Sequence, residues 1–345
     1  MDGGLILEWV LKSVFILLFM TGGFAYVTYF ERRMIARFQV RLGPNRAGPF
    51  GLLQPVADGI KLIFKEELIP AYSDKLMFVL APVITVIPSL IVTAVIPWGG
   101  VVKMFGRSVP LYLADVNIGL IYIMAVTSVS VYGITLAGWS SNNKYAAMGG
   151  LRSTAQMISY EIAMGFCMIV PVMIAGSLSL VDIVESQKQL LWGFFPMWNV
   201  FLQPGAAVIL MITIFAEVNR APFDMPEAEQ ELTAGYHSEY SGMKFALFFM
   251  AEYIKMIAVA MIFATLFLGG YHFPFVDQIP VIGPYLGPFV LLAKVVAFLF
   301  AFVWARSTLP RIRYDRLMGF GWKTLFPLSL LSVLVTAVVL LLVKS

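Results

Sequence analysis

The stretch TLFPLSLLSVLVTAVVLLLV, residues 324–343, holds no charged side chain, and Lys323 and Lys344 close its two ends. Twenty residues of helix rise about 30 Å, the thickness of a bilayer's hydrocarbon core. A helix that is apolar all round has no face to offer water, so this segment reads as a membrane span. Runs of the same kind recur at 5–29, 76–97, 115–138, 155–176, 199–218, 241–268 and 286–305. The predicted fold is an all-α integral membrane protein with about eight transmembrane helices, a single polytopic domain over 1–345. Composition agrees: 60% hydrophobic and 13% charged residues exclude an ordinary soluble domain. Glu8 and Lys12 stand in the first span where a signal peptide would carry a basic leader, so that span reads as a true membrane helix.

Eight spans put both termini on one side of the membrane. The segments 30–75, 139–154, 218–244 and 306–323 then share seventeen Lys and Arg, against four on the opposite side. By the positive-inside rule those segments are cytoplasmic and both termini are not.

Segment 49–70, PFGLLQPVADGIKLIFKEELIP, has a different character. Leu53, Val56, Ala57, Ile60, Phe64 and Leu68 recur at helical spacing, while Asp58, Lys61 and Lys65 take another face. That pattern predicts an amphipathic helix over about 50–69 lying in the cytoplasmic interface. It is either a surface anchor or one lip of an opening through which a lipid-like ligand enters from the bilayer.

The acids are concentrated. Glu217, Asp224, Glu227, Glu229, Glu231 and Glu239 are six of the chain's twenty acidic residues, gathered in a cytoplasmic loop over about 217–241 with Arg220 among them. Glu161, Glu217, Glu252, Lys255 and Lys294 fall within or at the ends of apolar spans. A charge near the bilayer centre costs roughly 2.5–3.5 kcal/mol on insertion scales, so such groups pair, face the interior or change protonation. Glu252 and Lys255, three apart on one helix, are placed to pair directly. Two lysines do not neutralise three buried acids and a loop of others, and a surplus of desolvated carboxylates is what proton handling needs. The region 31–46, ERRMIARFQVRLGPNR, reads as a basic membrane edge or as the lining of a polar pocket for a headgroup; 306–323 reads as topology plus partner docking. One cysteine, Cys167, and two histidines, His237 and His272, exclude a disulfide framework and a cysteine-ligated cluster within the chain. The histidines fall in loops on opposite faces, which argues against an intramembrane haem.

Three long motifs, in order, carry a family resemblance: ERRMIARFQVRLGPNRAGPFGLLQPVADGIKLIFKE at 31–66, EVNRAPFDMPEAEQELTAGYHSEYSG at 217–242 and RSTLPRIRYDRLMGFGWKTLFP at 306–327. Together they resemble the H-subunit family of NADH–quinone oxidoreductase, respiratory complex I, the counterpart of the mitochondrially encoded first subunit. The resemblance implies a bacterial inner-membrane protein at the joint between the redox arm and the membrane arm, forming the membrane side of a quinone chamber. It implies that Glu31, Arg32, Arg41 and Asp58 line or support the chamber, with Asp224, Glu227, Glu229, Glu231 and Glu239 as the acidic loop beneath it. Glu161, Glu217 and Glu252 would be a funnel of carboxylates leading into the membrane arm. The implied ligand is a quinone bound jointly with partner subunits, with no haem, flavin, iron–sulfur cluster or metal held by this chain. The implied partners are soluble quinone-site and iron–sulfur subunits on the cytoplasmic side, small membrane subunits, antiporter-like pump subunits and the lipid bilayer; nucleic acid is not among them.

The mechanism expected from these residues is electrostatic. Quinone reduction changes the charge in the chamber, the acidic loop responds, and the intramembrane acids pass the change to the pumps. Two like charges about 6 Å apart at an effective dielectric near 20 repel by roughly 3 kcal/mol, enough to reprotonate a neighbour. The competing readings are the homologous membrane subunit of a ferredoxin-, F420- or hydrogenase-linked complex, and a stand-alone proton-coupled transporter.

Overall fold

A computed structural model of the chain describes residues 3–104, 107–191, 195–225, 234–274 and 283–344. The first half comprises α1 (Gly3–Phe38), α2 (Gln54–Phe64), α3 (Lys75–Ile91), α4 (Gly119–Ser140), α5 (Lys144–Ala175) and α6 (Leu180–Ser186). The second comprises α7 (Asn199–Leu202), α8 (Pro204–Glu217), α9 (Gly242–Phe267), α10 (Gly283–Thr308), α11 (Tyr314–Phe320) and α12 (Phe326–Lys344). A wider helical turn over Gly321–Leu325 joins the last two into one rod. Two short antiparallel hairpins, Val101–Met104 with Arg107–Pro110 and Leu190–Leu191 with Phe195–Pro196, stand among the helices.

Among the described residues seven helices are long and apolar enough to cross a membrane. The eighth expected span, 199–218, is broken: α7 ends at Gln203, whose ψ is 64°, and Pro204 opens a 14-residue α8. Proline has no N–H to continue the preceding helix and restricts the residue before it. The resulting α8 rises about 21 Å, short of the roughly 30 Å hydrocarbon core. The Asn199 amide donates to the Leu266 carbonyl at 2.7 Å and anchors the broken end to α9.

Other boundaries moved for local reasons. Helix α5 starts eleven residues before the expected 155, where the Asn143 side chain accepts from the Tyr145 N–H at 2.9 Å and caps the first turn. The first span continues past 29 to Phe38, carrying Glu31, Arg32, Arg33 and Arg37 on a helical extension. Helix α9 is buried on all sides from Ala251 to Phe267, forming the centre of the bundle, whereas α1 and α12 keep most of their apolar surface outward. Helices α3 and α4 touch closely because position 133 is glycine: a Cβ there would lie 2.1 Å from Thr85 Oγ1 and 2.8 Å from the Ala81 carbonyl oxygen.

Helix α2 is shorter than the expected 50–69, with a single turn over Pro49–Gly51 before it. Leu53, Val56, Ile60 and Phe64 are all exposed. It is tied to α1 by the Arg32–Asp58 ion pair at 2.5 Å, while Gln54 steadies the same carboxylate at 3.1 Å.

Candidate functional site

Helix α8 ends at Glu217 and the chain turns sharply through Val218–Phe223, with Asn219 at φ 54°. The fully buried Gln156 amide of α5 holds this turn: its nitrogen lies 2.9 Å from the Ala216 carbonyl, 3.2 Å from Asn219 Oδ1 and 2.8 Å from the Phe223 carbonyl. The turn thereby carries Arg220 into the bundle, where it is 3% exposed.

Buried guanidinium needs counter-charge, and Arg220 lies between two carboxylates, 3.7 Å from Glu31 of α1 and 3.9 Å from Glu252 of α9. Its guanidinium also sits 4.3 Å over the Tyr253 ring, a favourable cation–π placement. Arg306 of α10 is the second partner of Glu31. On the other side of Glu252 lie His237 at 3.7 Å and the Tyr236 hydroxyl, which donates at 3.4 Å. One turn further along α9, Lys255 pairs with Glu217 at 2.6 Å and donates to Ser130 Oγ of α4 at 3.2 Å. Glu161 of α5 is within electrostatic reach of both Glu217 and Lys255.

The expected Glu252–Lys255 pair is therefore not made. Each has a closer tertiary partner, Arg220 and His237 for the acid and Glu217 for the lysine. Weak i,i+3 pairing yields to a buried partner on another helix. The partners of the buried acids also differ from those expected, because Arg220 and Arg306 join the cluster together with Glu31. Arg306, assigned from the sequence to topology and docking, turns inward. Lys294 belongs to another place altogether. Its ammonium donates to the carbonyls of Leu268, Gly270 and His272 at 2.6, 2.7 and 2.7 Å and lies 4.8 Å over the Trp198 ring. It caps the carbonyl end of α9, where positive charge is stabilised.

The remaining candidates divide. Arg32 and Asp58 meet at the α1–α2 junction, but Glu31, one residue away, faces the interior cluster. Arg41 lies apart on an exposed turn, bonded to the Gln39 side chain at 2.7 Å. The Asp224 carbonyl accepts from Arg311 at 2.9 Å, fastening the 220–225 turn to the segment after α10. Glu239 accepts from the Asn143 amide at 2.7 Å and lines a separate surface cleft of about 840 Å³ with Tyr72 and Trp139. Glu227, Glu229 and Glu231 lie outside the described residues. Sequence reading missed His237, Tyr236, Tyr253 and Gln156. Only His237 and Tyr236 had a signal, as polar side chains in the motif that follows the acids.

The fold and this interior define a polytopic membrane protein built around two neighbouring groups of buried ion pairs. The chain belongs to the NADH dehydrogenase family, whose profile matches residues 11–337. It is 51% identical over 319 residues to the first of the NADH-quinone oxidoreductase H subunits of Geobacter metallireducens, covering 92% of each chain. It is 51% identical over 313 residues to the NADH-quinone oxidoreductase H subunit of Protochlamydia amoebophila, covering 91% of each. The H subunit of Rickettsia typhi is 50% identical over 321 residues, 92% of this chain and 88% of the relative.

Proposed function

We propose that this chain is the H subunit of a proton-pumping NADH–quinone oxidoreductase, forming the membrane wall of its quinone chamber and relaying quinone reduction to proton translocation. The observation that carries the relay is a pair of neighbouring charge groups, Arg306–Glu31–Arg220–Glu252 and, one turn along α9, Lys255–Glu217, contributed by α10, α1, the turn after α8, α9 and α8. Within each group a charge change on one carboxylate alters the preferred partner of its cation, since Arg220 stands between Glu31 and Glu252 and Lys255 between Glu217 and the Ser130 hydroxyl. Glu161 adds a second carboxylate beside the Glu217–Lys255 pair.

The chamber wall is assigned to the α1–α2 junction. There the exposed apolar residues of α2 lie beside the Arg32–Asp58 pair, and Tyr29 and Arg33 both donate to the Phe50 carbonyl, at 2.6 and 2.8 Å. That combination suits an amphiphile with a polar ring and an apolar tail: tail along α2, ring towards the charged pair. Asp224 and Glu239 flank the acidic segment as its two ends. The positive-inside count supports a cytoplasmic junction, with both termini on the other side. The partners are soluble subunits that bring electrons and membrane subunits that pump.

Glu217→Gln in the assembled complex tests the relay. Quinone reduction coupled to pumping falls by roughly tenfold or more while the complex still assembles. An assembled mutant pumping at the native rate sinks the relay role.

A further inference from the structure

At the N-terminal end of α1, that helix, the start of α10 and the chain between α3 and α4 enclose a cavity of about 290 Å³. Phe15, Phe19, Trp98, Leu113, Pro288 and Phe289 make its wall, Lys12 stands at one side, and almost all the surface it offers is apolar. The wall is held in place. The Trp98 N–H donates to the Leu111 carbonyl at 3.2 Å, the Leu111 N–H to the Gly100 carbonyl at 3.0 Å, and the Trp98 ring meets the Phe19 ring edge-on at 4.8 Å. Phe15 and Phe289 are exposed, so the cavity opens between α1 and α10 towards the bilayer. Apolar cavities stay dry and accept hydrocarbon; one of about 150 Å³ admits benzene. Lys12 lies about 30 Å along α1 from Glu31, so this space is separate from the α1–α2 junction.

Two charges stand beside the cavity in a fixed order. Lys12 pairs with Glu8, one helical turn nearer the N-terminus, and its ammonium lies 3.5 Å from the Tyr112 carbonyl. An ammonium has three N–H donors and a carboxylate about four acceptor sites, so Lys12 keeps a donor for an anion and Glu8 keeps acceptors for a cation. From the membrane interior outward, α1 thus presents apolar wall, then Lys12, then Glu8. A phospholipid with an ethanolamine head has the complementary order: acyl chain, phosphate, ammonium. Trp and Tyr collect at headgroup level, and Trp98 and Tyr112 both line this cavity. We propose that the cavity binds an acyl chain of an ethanolamine phospholipid from the leaflet at the N-terminal end of α1, its phosphate on Lys12 and its ammonium on Glu8. A head carrying only negative charge is repelled by Glu8, and a choline head has no N–H to give it. An apolar helix of another subunit would match the wall and leave the charge order without a counterpart.

The test places the assembled complex in vesicles that carry a trace of phospholipid with a photoactivatable diazirine in its acyl chain. The head is ethanolamine, choline or glycerol. The ethanolamine lipid should label residues 15–19 and 289–292 about tenfold more than the other two, the factor that corresponds to one charge-assisted hydrogen bond. Lys12→Gln should lower that labelling by about the same factor, and Glu8→Gln should remove the preference over choline. Leu292→Trp fills the cavity and leaves both charges in place, and it must remove the excess label. Equal labelling by all three lipids, unchanged in the variants, means bulk lipid against an apolar surface and overturns the proposal. Absence of label means that another subunit covers the wall, and a preference that survives both charge variants removes the headgroup assignment; either result overturns it too. The comparison of heads uses the native complex, so it decides the matter if a variant does not assemble.

Discussion

Arg220 illustrates how much rests on one side chain. It is the common partner of Glu31 and Glu252, and a methionine in its place leaves Glu252 buried with the His237 imidazole beside it. Removing one member of a buried ion pair costs about 3–5 kcal/mol, so Arg220→Met should sharply lower the thermal inactivation temperature of the assembled complex. Arg220→Lys should restore part of the loss, and an unchanged transition in the methionine variant would contradict the pairing. At the far end of α9, Glu185 makes a separate prediction. Its carboxyl is held down at about 2, first by the hydrogen bond with His272 at 3.1 Å and then by the Tyr271 hydroxyl at 2.7 Å, against the opposing effect of burial. A depressed carboxylate contributes stability that is complete above its ordinary value of 4.5 and is lost as pH falls towards the folded value. Infrared difference spectra against Glu185→Gln should show a carboxylate band that survives to about pH 2; a band lost near 4.5 would refute the assignment. The buried acids were legible because charge in an apolar run is conspicuous, but their partners were not, since Arg220, Arg306 and His237 are distant in sequence from the carboxylates they meet.

At the scale of elements, helices were legible wherever an apolar run was long. The expected 241–268 became Gly242–Phe267, and 286–305 became the core of Gly283–Thr308. Misreadings arose where packing overrode the hydropathy pattern. The first turns of α5 contain KYAAMGGLRS, too polar and too glycine-rich to count as a span, yet they are helical because Gly149 and Gly150 let neighbouring backbone approach. A Cβ at 149 would lie 2.5 Å from the Gly235 Cα and 2.9 Å from its carbonyl carbon. Gly149→Ala must therefore displace the Gly235–His237 turn and with it the His237–Glu252 contact. We expect a loss of about 1–3 kcal/mol in stability together with reduced coupled activity. Gly205→Ala is the control, because nothing lies within 4 Å of a Cβ there; equal effects from the two would show that glycine chemistry, and not the contact, is responsible.

For the whole molecule, the distribution of burial matters more than any one contact. Helix α9 is enclosed by its own chain, while α1 and α12 present long apolar faces outward. A stand-alone transporter and a subunit both fit such faces, but they differ in what leaves the membrane with them. Extraction in mild detergent should yield this chain within a hetero-oligomer that reduces quinone in an inhibitor-sensitive way, with NADH as the donor. A monomer or homo-oligomer would favour the transporter, and activity driven only by ferredoxin or F420 would favour the related complexes.

The two roots of the acidic segment share a support. On one side the Gln156 amide grips the turn through Phe223; on the other, Gly149 receives Gly235 backbone against backbone. Both belong to α5, two helical turns apart. Anything that binds at the segment and shifts either root acts on the same beam, moving Arg220 at one end or His237 at the other relative to the single carboxylate they share. Linkage makes that traffic reciprocal: a change in the charge of Glu252 alters the affinity of whatever docks outside by the same factor that docking alters the proton affinity of Glu252. A ligand bound at the segment and a proton bound at Glu252 would thus be linked through one equilibrium.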